Sequence, residues 1–550
     1  MGEQRSREVA LLRSRGVSTR LIGVKALLEM LPSVCVGAAV GWAVALALVR
    51  VLGPSPLLDP GSLGTAALTV AVAAVGGLGA LAVLAAVGSA RRVDPRPPRR
   101  FRPAFVPWEL ALIVAAVVVY RRAAEQGGVS SYGQTVALNP LLIAFPLLAL
   151  LGGLLLTARL LAVLLPLLRR HSDGWRPAGW LSIRSLTGAI GVVLAVFTLS
   201  AVPIGVLVYS AGLTGSLGES VAAKAGTYNG ADQAFDLPAR QGVEPDPDLD
   251  GVGTLVHVVS GAVIAGETGQ LLGIEPAEFA DYADWRDDAV GGSPEDVLGA
   301  LAAPVPGGPL PAILVGRHDG PVTEVQLFAN DLDVQVVAQV DSFPGLRSPL
   351  EPMLVVDQDL LGEADRYADR QIEVWTDDEH AGALIARLAG EGVQVERERG
   401  PVSFTSATDL LPVTWTFGYL QTIAALTGLI AVTALLLYVA ARQRQRFASF
   451  HLSRRMGLRS AAHLRTLTAE VGLILGVAWL AGGLLGTLCV RLAYGLLDLN
   501  PTFPPPPLFV LPTGLLALSA LAVLVACLVT AVAGHLSARG TNAGDVLRLS

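Results

Sequence analysis

The sequence predicts a polytopic α-helical membrane protein of about eight transmembrane helices, with one mixed α/β extracytoplasmic domain. Three observations predict it. Of 550 residues, 52% are hydrophobic and 16% charged, with a mean hydropathy of +0.56, and apolar runs long enough to cross a bilayer recur along the chain. The charge is segregated: residues 212–410 hold 35 Asp and Glu against 10 Lys and Arg, about −25, which leaves about +19 elsewhere. Such sorting implies two environments, a water-exposed acidic domain and membrane helices with basic ends. Finally, a basic segment and the span after it occur twice.

The spans fall at 31–51, 64–90, 106–120, 139–168, 184–210, 412–440, 468–495 and 508–535. The third is the weakest, being short and carrying Glu109. Orientation follows from the Lys and Arg content of the connections, because basic loops stay cytoplasmic. Arg91, Arg92, Arg96, Arg99, Arg100 and Arg102 crowd the second connection, and Arg169, Arg170 and Arg176 the fourth. The sixth is basic from Arg442 to Arg465, whereas the connections near 52–63 and 496–507 have no Lys or Arg. Arg121 and Arg122 in the third are a small exception. This alternation puts both termini in the cytoplasm and residues 212–410 outside.

Within 212–410, the runs VGTLVHVV (252–259), TEVQLFA (323–329), VQVVAQV (334–340) and QIEVW (371–375) read as strands between Gly/Pro/Asp turns. EPAEFADYADWRDDAV (275–290) and DDEHAGALIARLAGEG (377–392) read as helices. Cys35, Cys489 and Cys527 all lie in apolar runs, so neither a disulfide framework nor a thiolate metal site follows from them.

Shifting the chain by 441 positions lays RSREVALLRSRGVSTRLIGVKALLE (5–29) over RFASFHLSRRMGLRSAAHLRTLTAE (446–470). Arg5 meets Arg446, Leu11 meets Leu452, Arg13 meets Arg454, Gly16 meets Gly457 and Glu29 meets Glu470; further on, Gly41 meets Gly482. Both copies then enter a Gly/Ala-rich span, whose small residues allow close helix approach in lipid. The chain therefore carries an internal repeat: a basic cytoplasmic helix, a glycine and two membrane helices.

The two copies resemble the second half of the FtsX-like permease core, the membrane unit of certain ABC transporters. Its pattern is a helix ending in an LLRxxGxS-type turn, a following Glu and a glycine-rich span. Residues 178–550 resemble a full core in order, from the amphipathic lead-in helix GWLSIRSLTG (179–188) and a span (178–211), through the domain at 212–410, to three spans at 411–550; DVLR (545–548) resembles the usual ending. Residues 31–95 resemble only the latter part of a first core, preceded by a coupling helix at 1–30. Two linker spans occupy 96–170.

The resemblance implies that the basic helices dock into a groove on a separate ABC ATPase. Leu11, Leu12, Leu452, Met456 and Leu458 would supply apolar contacts, Arg13, Arg15, Arg454 and Arg455 cationic ones, and Gly16 and Gly457 the tight turn out of the helix. The second coupling segment is expected at 442–466. Arginines at cytoplasmic loops by themselves establish topology only; two copies with the same Gly and Glu spacing point to docking. Glu29 and Glu470 stand at the start of a span, where an acid pairs with a neighbouring cation or complements the helix N-terminus.

No G-x-x-x-x-G-K-[ST] loop occurs, so ATP is expected on a partner and no cofactor on this chain. No H-E-x-x-H or G-x-S-x-G occurs, and the seven His are scattered, which argues against a hydrolase. DPDLDG (246–251) has calcium-loop spacing, but His257 stands where the bidentate Glu belongs, so it reads as an acidic turn and no metal is expected. The expected function is export or release of a lipid-linked, lipoprotein or peptide substrate at a bacterial plasma membrane, driven by the ATPase subunit. The alternative is a non-transporting regulator or scaffold acting on a cell-wall enzyme or sensing a ligand. Expected partners are the ATPase, membrane lipids and a second copy or second permease, with no nucleic acid.

Overall fold

The computed structural model describes residues 15, 17–52, 60–93, 107–132, 135–174, 177–238, 249, 251–301, 308–316, 318, 320–327, 330–361, 370–400, 407–455, 460–498 and 500–539. Two long helices come first, α1 (Thr19–Leu52) and α2 (Pro60–Val93). Ser18 caps α1, its Oγ accepting from the Leu21 N–H at 3.4 Å. The two form an antiparallel hairpin that packs tightly at Gly23, where a Cβ would fall 2.8 Å from the Ala82 carbonyl oxygen.

Next come α3 (Glu109–Gln126), a two-stranded hairpin of β1 (Val129–Tyr132) and β2 (Thr135–Leu138), and α4 (Leu141–Arg170). A short amphipathic α5 (Pro177–Gly188) leads into α6 (Ile190–Asn229), which at 40 residues and about 1.5 Å per residue runs roughly 60 Å. After the sheet domain the chain returns through α11 (Ala407–Arg455), α12 (Ser460–Ala493) and α13 (Thr513–Arg539). Among the described residues, seven helices are long and apolar enough to cross a bilayer: α1, α2, α4, α6, α11, α12 and α13. The third expected span is α3, only 18 residues long and carrying Glu109, Arg121, Arg122 and Glu125.

The sheet domain holds β3 (Gln233–Leu237), β4 (Thr254–Ile264), β5 (Glu267–Ile274), three short helices α7 (Pro276–Tyr282), α8 (Asp287–Val290) and α9 (Pro294–Leu298), β6 (Leu310–Val315), β7 (Glu324–Leu327), β8 (Asn330–Val340), β9 (Met353–Asp357), β10 (Arg370–Thr376), α10 (Ala381–Gly390) and β11 (Arg397–Arg399). Their order in one mixed sheet is β11-β3-β10-β4-β5-β9-β6-β8-β7, and the end of β4 also pairs with β7. Strands β4, β5, β9, β6, β8 and β7 thereby close into a ring, with β10, β3 and β11 as an extension. Closure is possible because the 11-residue β4 pairs with β10 over residues 254–259 and with β7 only at Val263 and Ile264. A bulge at Gly261, φ +83°, bends the strand between the two.

Alternation decides the cores. Leu271, Leu354, Val356, Ala312 and Leu314 point into the ring, while Leu272, Met353, Val355, Ile313 and Val315 point to a second core with Phe279, Phe343 and Trp375. A third core forms where Leu384 and Leu388 of α10 cover Phe235, Ile372 and Val374.

Four expectations are corrected. The segment 212–229 belongs to α6, so the helix runs on well past the expected end of the span before the sheet begins. Residues 275–290 form two short helices broken at Ala283–Arg286, not one. The expected coupling segment at 442–466 is not a separate helix: α11 runs without interruption to Arg455, and residues from Ser460 already belong to α12; likewise residues 19–30 are the first turns of α1. The last span starts at Thr513, because Leu508 and Val510 donate their backbone N–H groups to Ser220 Oγ and Ser216 Oγ of α6 at 2.8 and 3.0 Å. The four prolines before them, Pro504 to Pro507, have no amide to contribute to a helix.

The handover from α6 to the sheet turns on Gly230, φ +92°, where a Cβ would fall 2.0 Å from the Trp375 indole. Gly230→Ala is expected to destabilise the protein by about 2–4 kcal/mol, combining left-handed backbone strain with overpacking. Thermal unfolding of the purified full chain measures it; an unchanged midpoint would mean that Trp375 moves aside freely.

Candidate functional site

The repeat found in the sequence has a structural counterpart. Displaced by 441 residues, Thr19–Leu52 becomes Ser460–Ala493, so α1 and α12 begin and end at equivalent positions, each 34 residues long. The expected docking residues flank these starts. Arg15 is an exposed turn residue. Leu452, Arg454 and Arg455 lie in the last turn of α11. Leu11, Leu12, Arg13, Gly16, Met456, Gly457 and Leu458 lie outside the described residues, as does most of DPDLDG; His257 is buried on β4, opposite Gly273 and Ile372.

The two acids of the repeat have different surroundings. Glu29 is exposed and sits 3.7 Å from Lys25, one turn away. Glu470 is buried and accepts from Ser185 Oγ of α5 at 3.1 Å, while Ser182 Oγ donates to the Thr466 carbonyl at 3.1 Å. The lead-in helix thus docks on the first turns of α12 by two serines.

From there α12 runs along α6 with backbones in contact. A Cβ at Gly482 would fall 2.5 Å from the Ala201 carbonyl oxygen, and one at Gly486 2.7 Å from that of Gly205. On α6, a Cβ at Gly212 would fall 2.6 Å from Val490. This is a small-residue seam of the kind that drives helix association in lipid. Beside it, an apolar cavity of about 400 Å³ opens between α6, α11, α12 and α13, lined by Pro203, Ile204, Gly428, Leu475, Leu518 and Ser519 among others.

Beyond the span, α6 is bound laterally. Lys224 Nζ donates to Asp498 Oδ1 at 2.6 Å and to the Asn500 carbonyl at 2.5 Å, and both side chains of the ion pair are over nine-tenths buried. With Ser216 and Ser220 this straps the 498–510 segment along the helix. At the top, Thr227 O accepts from Gly345 N–H at 2.8 Å, and Asn229 Nδ2 donates to the Gly400 carbonyl at 2.7 Å. Arg347 lies over the Tyr228 ring and pairs with Glu373, which also takes Arg399 at 2.6 Å and the Trp375 indole N–H at 3.0 Å. Arg399 pairs in turn with Asp236. Burial pushes the Asp236 carboxyl up, against the pull of Arg399.

Sequence reasoning missed this junction. Its signals are single residues, a Lys in an apolar stretch at 224 and an Asp at 498 in a connection without cations, whose pairing only the fold reveals. Lys224→Met is expected to cost about 3–5 kcal/mol by leaving Asp498 buried and alone. Adding Asp498→Leu is expected to recover much of that loss in thermal unfolding; no recovery would mean the strap does not depend on the pair.

The Asp284 carboxylate lies over Gly226 of α6, and burial, then Asp232, push its carboxyl up, with Arg286 opposing. A raised folded value means that its contribution is complete below about pH 3.9, the unfolded value. It is lost as pH rises through the folded value. Asp284→Asn is therefore expected to raise the unfolding midpoint at pH 7–8 more than at pH 4; an equal shift at both would remove titration as the cause.

Residues 1–95 match the family model described as FtsX-like permease C-terminal. No curated protein matches the chain. The matched stretch contains α1 and α2, and the coincident bounds of α1 and α12 extend its pattern to the other end of the molecule. On the matched residues, the N-terminal part of the chain is similar to the FtsX-like permeases, and the sheet domain and the helices from α3 onward lie outside the match.

Proposed function

We propose that the protein is the permease subunit of an ABC transporter, working with a separate ATPase that docks on the repeated basic segments before α1 and α12. The observation that carries this reading is α11: one 49-residue helix, roughly 74 Å long, runs from Ala407, which follows β11 of the sheet domain in the chain, to Leu452, Arg454 and Arg455. A helix of that continuity moves as a lever. Displacement at the docking end is carried along this helix toward the sheet domain, and α6, seamed to α12 and clamped at its top, moves with it. A bistable arrangement of this bundle, biased from one end by the ATPase, supplies the coupling between distant sites that allostery requires.

In this reading both termini are cytoplasmic, the sheet domain is extracytoplasmic and the membrane is a bacterial plasma membrane. The acidic sheet domain and the basic membrane flanks support that orientation. The substrate class is lipid-linked, lipoprotein or peptide, and the apolar cavity between α6, α11, α12 and α13 supports a partner with acyl or apolar groups.

Co-purification with an ABC ATPase in near-stoichiometric amount is the first test. Gly457→Trp is then expected to reduce ATPase stimulation by about tenfold or more, the scale of losing an interface anchor, while the chain still inserts and folds. Unchanged binding and stimulation would overturn the docking role. Loss of substrate-stimulated ATPase, with capture of a cell-wall hydrolase by the full chain, would favour the regulatory alternative.

A further inference from the structure

The two repeated acids are satisfied from different places, and the sequence sets the difference. Displaced by 441 residues, Lys25 becomes Thr466. In α1 the cation one turn before Glu29 lies 3.7 Å from it, so the partner comes from the same helix. In α12 a threonine stands there, and the buried Glu470 takes a donor from another element, Ser185 Oγ of α5 at 3.1 Å. Thr466 itself offers its carbonyl to Ser182 Oγ, one turn earlier on α5. Leu186, next on α5, shares a core with Val471, Ile474 and Leu475 of α12.

Helices α5 and α6 meet at a joint. Ala189 between them has φ −137° and ψ 38°, outside the helical range, and no side chain caps α6 there. The bonds to α12 fix the angle that such a joint leaves open. Helix α12 therefore holds α6 at its entry, through α5, and at its middle, through Gly482 and Gly486. A helix held at two points follows its neighbour in tilt as well as in position. Among the described residues α1 shows neither hold. Cβ atoms at Gly37 and Gly41 would meet nothing within 4 Å. None of the most apolar stretch of α1 is buried within the protein, against 44% of that of α12. Helix α1 meets α11 where the Tyr419 hydroxyl stands 3.5 Å from the Ala45 carbonyl, the weak limit of a hydrogen bond and about 39 Å along α1 from Thr19.

Given an ATPase docked at both repeated segments, as proposed above, we propose that the two docking ends are unequal. Displacement arriving before α12 passes through Glu470 to α5 and so to the entry of α6, whereas the segment before α1 holds the ATPase without passing displacement on. Glu470 is the positioning residue of this latch. A hydrogen bond to a buried carboxylate is directional and costly to break, so α5 stays with α12 when α12 moves. The seam alone would leave α6 free to tilt about its middle.

The full chain with its co-purified ATPase is read in three ways: the amount of ATPase bound, its rate of ATP hydrolysis, and hydrogen exchange over α5 and the first turns of α6 with and without ATP. In the unmodified protein ATP is expected to change that exchange. Glu470→Leu is expected to abolish the response and to lower hydrolysis about tenfold, the scale of losing one hydrogen bond to a charged group. The ATPase is expected to stay bound in equal amount. Glu470→Gln keeps an acceptor for Ser185 and is expected to hydrolyse ATP within about twofold of the unmodified protein. Glu29→Leu is expected to change neither hydrolysis nor the response. Ser182→Ala/Ser185→Ala removes only two hydroxyls and is expected to behave as Glu470→Leu, which keeps the test decisive if the leucine variant does not fold. An undiminished response in the serine double variant, or equal losses from Glu29→Leu and Glu470→Leu, would overturn the latch while leaving the transporter reading in place. Absence of bound ATPase from the unmodified chain would overturn that reading, and the transmission with it.

Discussion

The charged contacts that join the sheet domain to the top of α6 centre on one carboxylate. Glu373 of β10 is fully buried, and an uncompensated charge there would cost several kcal/mol. It is compensated three times, by Arg347, Arg399 and the Trp375 indole. Each partner comes from a different part of the junction: Arg347 from the segment between β8 and β9, which also covers Tyr228 at the top of α6, and Arg399 from β11, the strand that precedes α11. Trp375 fills the space that Gly230 and Gly345 leave open. The helix entering the domain and the strand leaving it are thus held by the same buried charge, and the two cannot separate without exposing it.

Below the junction, the constraint changes from charge to distance. In lipid, apolar surface gives no hydrophobic gain between helices, so association rests on close packing and hydrogen bonds. Gly482 and Gly486 bring α12 against the carbonyls of α6, and Tyr209 donates to the Leu142 carbonyl of α4 at 2.7 Å. The strap of 498–510 continues this binding above the span, through Lys224, Ser220 and Ser216. Along its length α6 is therefore bound first by backbone contact, then by buried polar groups, then by the charge cluster. It is the element against which the others are positioned.

Much of this architecture is legible in the sequence because bilayers impose simple rules: apolar runs long enough to cross, basic flanks and a segregated acidic domain. The strands at 252–259, 334–340 and 371–375 are legible through β-branched alternation, and β4, β8 and β10 lie there. What escapes is whatever depends on a partner far along the chain. Leu508 and Val510 look like the beginning of a span, yet their amides go to serines nearly 300 residues earlier. The break at 283–286 escapes because EPAEFADYADWRDDAV carries helical composition throughout, while the backbone N–H of Asp284 is taken by the Gly230 carbonyl.

The two copies of the repeat show most directly how tertiary context divides equivalent sequence. Gly41 and Gly482 occupy the same position in helices of the same length, and both would permit close approach. A Cβ at Gly482 would collide with α6, whereas one at Gly41 would meet nothing within 4 Å. Glu29 stays exposed beside Lys25, while Glu470 is buried under Ser185. The difference does not lie in the repeated residues but in what precedes them in space: α12 has α5 and α6 to receive it, and the described chain places no equivalents beside α1. Equivalent local sequence gives equivalent helices because capping, length and composition are local. Burial is not a local property, and here a lead-in helix with two serines and a long helix with small residues at 201, 205 and 212 decide it for one copy alone.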